Sequence, residues 1–471
     1  MKNFTKQALA VVAIAAFAVA GCKKGNDGNF DRATGAGGPF TAPDSVIVGN
    51  ITAPRTLSPG KVYRLSGVVY VTNNAKLTIK AGTVISTGAA VNYRESAGTS
   101  GALRSIAGVL VITKGASIDA LGSPTRPVIF TSPKAAGSRV AGDFGGVVLL
   151  GSATTNKPST TIIEGLPQYD ANGNSLGVDI TYGGGNPADN SGRFQYVRIE
   201  YAGFKLQENN EINGLTMGGV GSGTSINHVQ VSYGADDAFE FFGGTVNASY
   251  LLAVGNDDDD FDTDFGYSGN ISYAIGLKDP NSTHSVSGTV SDSNGIESDN
   301  DNVSGAVATP RNKAAYTNLT LLGYANGPAT TLRSGGRWRR NTDVAISNSI
   351  IAGFPTGAEF ESAPTISSSV AGFQNNIVHG YANSILPASI AGNFPSTDPA
   401  GTALNTSLSS NGGFVNISEG LSPFYTSIVA GSYSFDNLQS ASKGAVLASN
   451  YGEWNAGWVS FIPQTRNDTG L

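Results

Sequence analysis

From about Val46 onward the chain repeats one short theme: roughly four to seven residues of alternating or continuous Val, Ile, Leu and Tyr, closed by Gly, Asn or Asp. GVVYVTNNAKLTIKAGTVI, GVLVITKGASIDALG, RPVIFTS, FGGVVLLG, FQYVRIEYAG, INHVQVSYG, SYLLAVG, NISYAIG, YTNLTLLG, VAISNSIIAG and FQNNIVHGYA all follow it. Alternation at a period of two, or a short apolar run bounded by turn residues, predicts strands. No amphipathic helical period of useful length interrupts them, so the expected fold class is all-β.

Spacing narrows the architecture. Val229, Leu251 and Tyr273 stand 22 residues apart, and GADDAFEFFGG aligns with GNDDDDFDTDFG at the same step. Self-similarity in the twenties, with several strands and turns per period and no helix, predicts a parallel β-helix. Each rung then buries its inward residues against the rungs on either side, so the core is a column. One such domain over residues 46–440 would absorb most of the chain. Residues 441–471, with Trp454 and Trp458, are expected to cap its last rung, because an open end exposes strand edges.

Composition agrees: 62 of 471 residues are glycine and only 14% are charged, against about 25% charged in an average protein. The net charge of -6 gives no basic face for nucleic acid. His228, His284 and His379 are far apart in sequence, which leaves a zinc site or a catalytic Ser-His pair few candidates. The amino terminus, MKNFTKQALAVVAIAAFAVAGC, places Lys2 and Lys6 before an apolar run from Ala8 to Ala20, the pattern of an export signal over residues 1–21. The run is short for a bilayer span. Cys22, the only cysteine, follows Val19-Ala20-Gly21, which resembles the lipobox of bacterial lipoproteins. That resemblance implies a membrane partner through acyl chains on Cys22 and retention at the outer membrane, on either face. Residues 22–45 are polar and glycine-rich, a flexible tether. A lone cysteine excludes an internal disulfide.

Charge is distributed unevenly. Between Leu206 and Leu277 there is no Lys or Arg, but there are eleven acids, leaving the rest of the chain at net +5. Phe239-Glu240, Phe261-Asp262, Ile296-Glu297, Leu332-Arg333 and Phe360-Glu361 recur as apolar-charged pairs. Stacked on neighbouring rungs, Glu240 and Asp262 would lie about 4.8 Å apart and repel by roughly 3–4 kcal/mol at an effective dielectric near 20. Three answers are open. Calcium, a hard cation, would suit Asp260, Asp262, Asp264, Asp258 and Glu240, although Gly266 falls too late for an EF-hand loop. Arginines would pair bidentately, Arg333, Arg337, Arg339 and Arg340 with Glu297, Asp299 and Asp301. The third is a solvated acidic face, screened by salt.

GVVYVTNNAKLTIKAGTVI, IDALGSPTRPVIFTSP, GDFGGVVLLGSATTN, IEGLP, FQYVRIEYAG, DDAFEFFGG, DDDFDTDFG and SNGIESDND, in this order, resemble a family of bacterial secreted or lipid-anchored right-handed parallel β-helix proteins of pectin-lyase-like architecture and no established activity. KGAV…EWNAGWVSFIPQ is similar to its carboxy-terminal end. The resemblance implies fold and surface location more than activity. The expected function is a monomeric surface or periplasmic binding or adhesion-type module, calcium-stabilised. A glycan or an envelope protein would lie along a face bearing Trp338, Tyr and Asn. The alternative is a polysaccharide lyase or glycoside hydrolase. Arg333 or Arg337 would then serve as base beside calcium, or Asp237 and Asp262 as paired carboxylates. No signature of a named lyase class occurs, and fold alone does not carry function.

Overall fold

The computed structural model describes residues 45–207, 210–300, 307–324, 332–393, 434–440 and 442–465. The expected export signal, Cys22, nearly all of the tether, and Asp301 lie outside the described residues. Among the described residues no helix is long and apolar enough to cross a membrane.

A 24-stranded sheet, paired in parallel throughout, winds into a β-helix with three strand stacks. The alternation in each segment sets what it buries. Strands Phe239–Phe242 and Phe261–Asp264 point Phe239, Phe241, Phe261 and Thr263 into the column, where Phe239 stacks on Phe261 at 5.5 Å. Two stacks meet at a corner crossed by long strands: Gly192–Glu200, Ser225–Ser232, Asn247–Val254, Asn270–Leu277 and Ala315–Leu322. Each bends at a single non-glycine residue of positive φ: Tyr196 (50°), His228 (54°), Tyr250 (55°), Tyr273 (52°) and Asn318 (58°). A left-handed conformation costs a non-glycine residue roughly 1–2 kcal/mol. Ring stacking along the corner offsets it: Tyr196 on His228 at 4.4 Å, His228 on Tyr250 at 4.5 Å, and Tyr250 on Tyr273 at 5.3 Å.

One of these stacks is buried on both faces. Leu251, Leu252, Ala253 and Val254 are all fully buried, which is why they read as a continuous apolar run. Residues 434–440 and 442–465 cover its outer side. Ala445 donates its N–H to Thr320 Oγ1 (2.9 Å), and Ser460 and Gln230 exchange two hydrogen bonds. Trp454 packs against Tyr250 (5.5 Å) and Trp458 meets His228 edge-on (5.4 Å). The two tryptophans expected to cap the last rung therefore lie along the flank, over the middle rungs, where the apolar outer face needs covering.

Two further expectations are corrected. Leu251 pairs with Ala274, not Tyr273, because the turn between Asp264 and Asn270 holds one residue more than the turn before it. Trp338 is fully buried, stacked on Phe360 at 5.3 Å, and presents no ring to a ligand.

Candidate functional site: an acidic groove with an arginine end

The third stack carries the charged ladder on its outer side. On its first rungs that side is apolar and is covered by flanking segments, with Val148, Leu150, Ile163, Tyr182 and Ile212 packed together. From Glu240 onward it is open. Glu240, Asp262 and Glu297 are direct register partners, followed by Arg337 and then Glu359. The first three expected pairs thus stack as expected, but the next rungs are Gly336-Arg337 and Ala358-Glu359. Insertions after Glu297 displace the register, so Arg333 and Glu361 join the ladder from neighbouring positions, through Glu359 and Arg337.

The groove encloses about 390 Å³, and twelve carboxylates line it against only two guanidiniums, Arg339 and Arg340. Its acidic end is built by repetition. Asp236-Asp237 and Asp258-Asp259 occupy the turns before successive strands, one 22-residue step apart. Asp237 Oδ1 accepts the N–H of Asp259 (2.8 Å), and Asp259 Oδ1 accepts that of Asn294 (2.6 Å). Asn294 Oδ1 in turn accepts that of Ser334 (3.1 Å). These bonds fix one oxygen per rung and leave the others directed at their neighbours. Glu164 and Glu211 come from the flanking segments and carry no repeat signal. The Asp236-Asp237 pair does carry one, in its alignment with Asp258-Asp259.

Three triads place carboxylate oxygens within 4.8 Å of one another: Asp236, Asp237 and Asp258; Asp237, Glu240 and Asp262; Asp259, Asp262 and Glu297. Asp237 and Asp262 each belong to two of them. Asp236 Oδ2, Asp258 Oδ1 and Asp262 Oδ1 are enclosed and have no hydrogen-bond partner, whereas Asn213 donates its amide to Glu240. Burial first, and carboxylate neighbours second, raise Asp237, Glu240 and Asp262 well above the usual carboxylate range. Asp258 is pushed up to about 7 by burial and then Glu297, and Glu164 to about 8 by burial and then Glu211.

Of the five residues expected to hold calcium, Asp258, Asp262, Asp264 and Glu240 line the groove. Asp260 does not. It precedes its strand, turns inward, and faces Lys278 at 3.4 Å with both side chains fully buried. Asp236, Asp237 and Asp259 line the groove as well.

The other end is neutralised internally. Arg337 contacts Asp292 (2.9 Å), Glu297 (3.0 Å) and Glu361 (2.8 Å). Arg333 contacts Asp292, Glu359 and Glu361. Arg339 pairs with Glu297 and Asp299, and Arg340 with Asp299 at 2.7 Å. Burial opposes the charge on Arg337, yet Glu297 and Glu361 hold its pKa above the ordinary value. That direction is opposite to what a catalytic base requires.

No curated protein and no solved structure matches the chain. The model of the pectate-lyase like beta helix domain matches residues 49–459, in agreement with the parallel solenoid, and the chain belongs to that family.

Proposed function

We propose that the protein is an exported, lipid-anchored β-helix module that binds calcium in the acidic groove and, with the ion in place, a glycan or envelope partner along the same face. One observation carries the metal reading: three overlapping carboxylate triads with enclosed, unpartnered oxygens. An all-oxygen donor set of this charge suits a hard cation. Asp237, Glu240 and Asp262 would hold it, with Asp236 and Asp258 or Asp259 and Glu297 extending the site. Bound calcium supplies positive charge that offsets carboxylate repulsion and can engage an anionic sugar. The arginine end needs no ion, since its charges pair internally. Anchoring through Cys22 rests on the lipobox resemblance alone.

Calorimetric titration of the chelated protein with calcium tests this. Saturable binding is expected, together with a rise in melting temperature and co-purified calcium in the untreated protein. No heat, no co-purified ion and an unchanged melting temperature would remove the metal. Binding of uronate-containing glycans in calcium but not in chelator tests the partner.

A second reading, polysaccharide cleavage, is favoured by Asp237 and Asp262 sharing a triad in an open groove. One oxygen of each lies within 4.8 Å of the other, near the carboxyl separation of about 5–5.5 Å in retaining glycosidases. Arg333 and Arg337 are each engaged by three carboxylates. Appearance of unsaturated or reducing ends on acidic or neutral polysaccharides would support cleavage over binding.

A further inference from the structure

Neither Lys278 nor Asp260 lines the groove, yet both are fully buried, with Lys278 Nζ 3.4 Å from Asp260 Oδ1. Apart from Lys278, neither oxygen of Asp260 has a hydrogen-bond partner. The lysine donates to the carbonyl of Asp258, which also accepts from Ser293 Oγ at 3.0 Å. Asp260 lies immediately before strand Phe261–Asp264, and Lys278 immediately after strand Asn270–Leu277, so the two side chains meet across one turn of the coil. Gly276 makes room for them: a Cβ there would collide with Oδ2 of Asp260 and press on Leu321. An ion pair removed from water, whose carboxylate lacks the further hydrogen bonds that normally compensate desolvation, is a poor solution to that burial. Condensation would abolish both charges.

We propose that Lys278 and Asp260 become joined by an intramolecular amide bond, formed in the folded chain without an added catalyst. The ammonium proton passes to the carboxylate, leaving a neutral amine beside a carboxylic acid. The Nζ lone pair attacks Cγ and a C–N bond forms. Nζ sheds a proton to the departing hydroxyl, the C–O bond breaks, and one water leaves. Nothing is oxidised or reduced. The remaining N–H can keep the Asp258 carbonyl as its acceptor. The product closes one rung into a covalent ring directly beneath the acidic turn.

The test uses the full chain, purified folded, then denatured and digested with trypsin. No Lys or Arg lies between Leu206 and Leu277, and the next site after Lys278 is Arg311. A free Lys278 gives a peptide ending there at its full mass. The amide blocks that cleavage, and the expected product is the 206–311 peptide lighter by one water. Lys278→Arg should restore both cleavage and mass, and Asp260→Asn should reach the same amide by losing ammonia. Cleavage at Lys278 at full mass in the unsubstituted chain would overturn the proposal, leaving a buried ion pair. That reading comes from the unsubstituted protein, so a variant that fails to fold does not blunt it.

Discussion

Asp262 has Glu240 on one side of it in register and Glu297 on the other, and its Oδ1 reaches neither a donor nor solvent. Replacing it with asparagine keeps the shape, removes the charge and supplies a donor. In chelator, Asp262→Asn is therefore expected to stabilise the fold by roughly 1–3 kcal/mol, a fraction of the contact repulsion. Urea denaturation measures this, and calorimetry on the same variant should show calcium affinity lost. The opposite substitution logic applies at Arg337. Arg337→Met takes one of two guanidiniums from Asp292, which keeps Arg333, and one of two from Glu297, which keeps Arg339. The loss should therefore fall short of the cost of removing the sole partner of a buried charge, about 3–5 kcal/mol. The denaturation midpoint should fall accordingly and recover in part on acidification.

At the scale of strands, alternation made the ladder legible in the sequence. Within Phe261–Asp264 every second residue faces out, so the stacking of Glu240 on Asp262 followed from one 22-residue step. The register is lost where the chain inserts residues. Glu297 meets Arg337 rather than Arg333, and no periodic signal spans that loop. Asp260 was misplaced for a related reason: it stands before its strand, where alternation has not begun, and its partner Lys278 belongs to another stack. The flank cover was equally illegible, since Gln230 and Ser460 meet across 230 residues. Its energetic weight can be measured. Trp454 is fully buried against Tyr250, Phe435 and Trp458. Trp454→Ala is expected to cost about 3–5 kcal/mol, read as a lowered denaturation midpoint with increased binding of a hydrophobic dye.

Across the whole molecule, the acidic groove couples stability to pH and to cations. A carboxyl whose folded pKa lies above its unfolded one holds its proton more tightly in the folded chain. The resulting stability is complete below the unfolded pKa and is lost as pH rises through the folded one. With Asp258 at about 7 and Glu164 at about 8, the melting temperature in chelator should fall between about pH 5 and pH 8. Calcium should flatten that slope, because the ion favours the ionised carboxylates that protonation otherwise replaces. A slope unchanged by calcium would place the ion elsewhere or nowhere.

The segment over the flank also orders events in time. A solenoid can nucleate on any few rungs and propagate from them, so a chain delivered from its amino terminus can wind as it arrives. Gln230, Thr320 and the Tyr250 corner nevertheless wait for Ser460, Ala445 and Trp454, and Arg139 waits for Gln464, 325 residues later. Contacts of such separation form late. Until then the coil carries a bare apolar side, the surface on which a holding chaperone would act and on which premature association would begin.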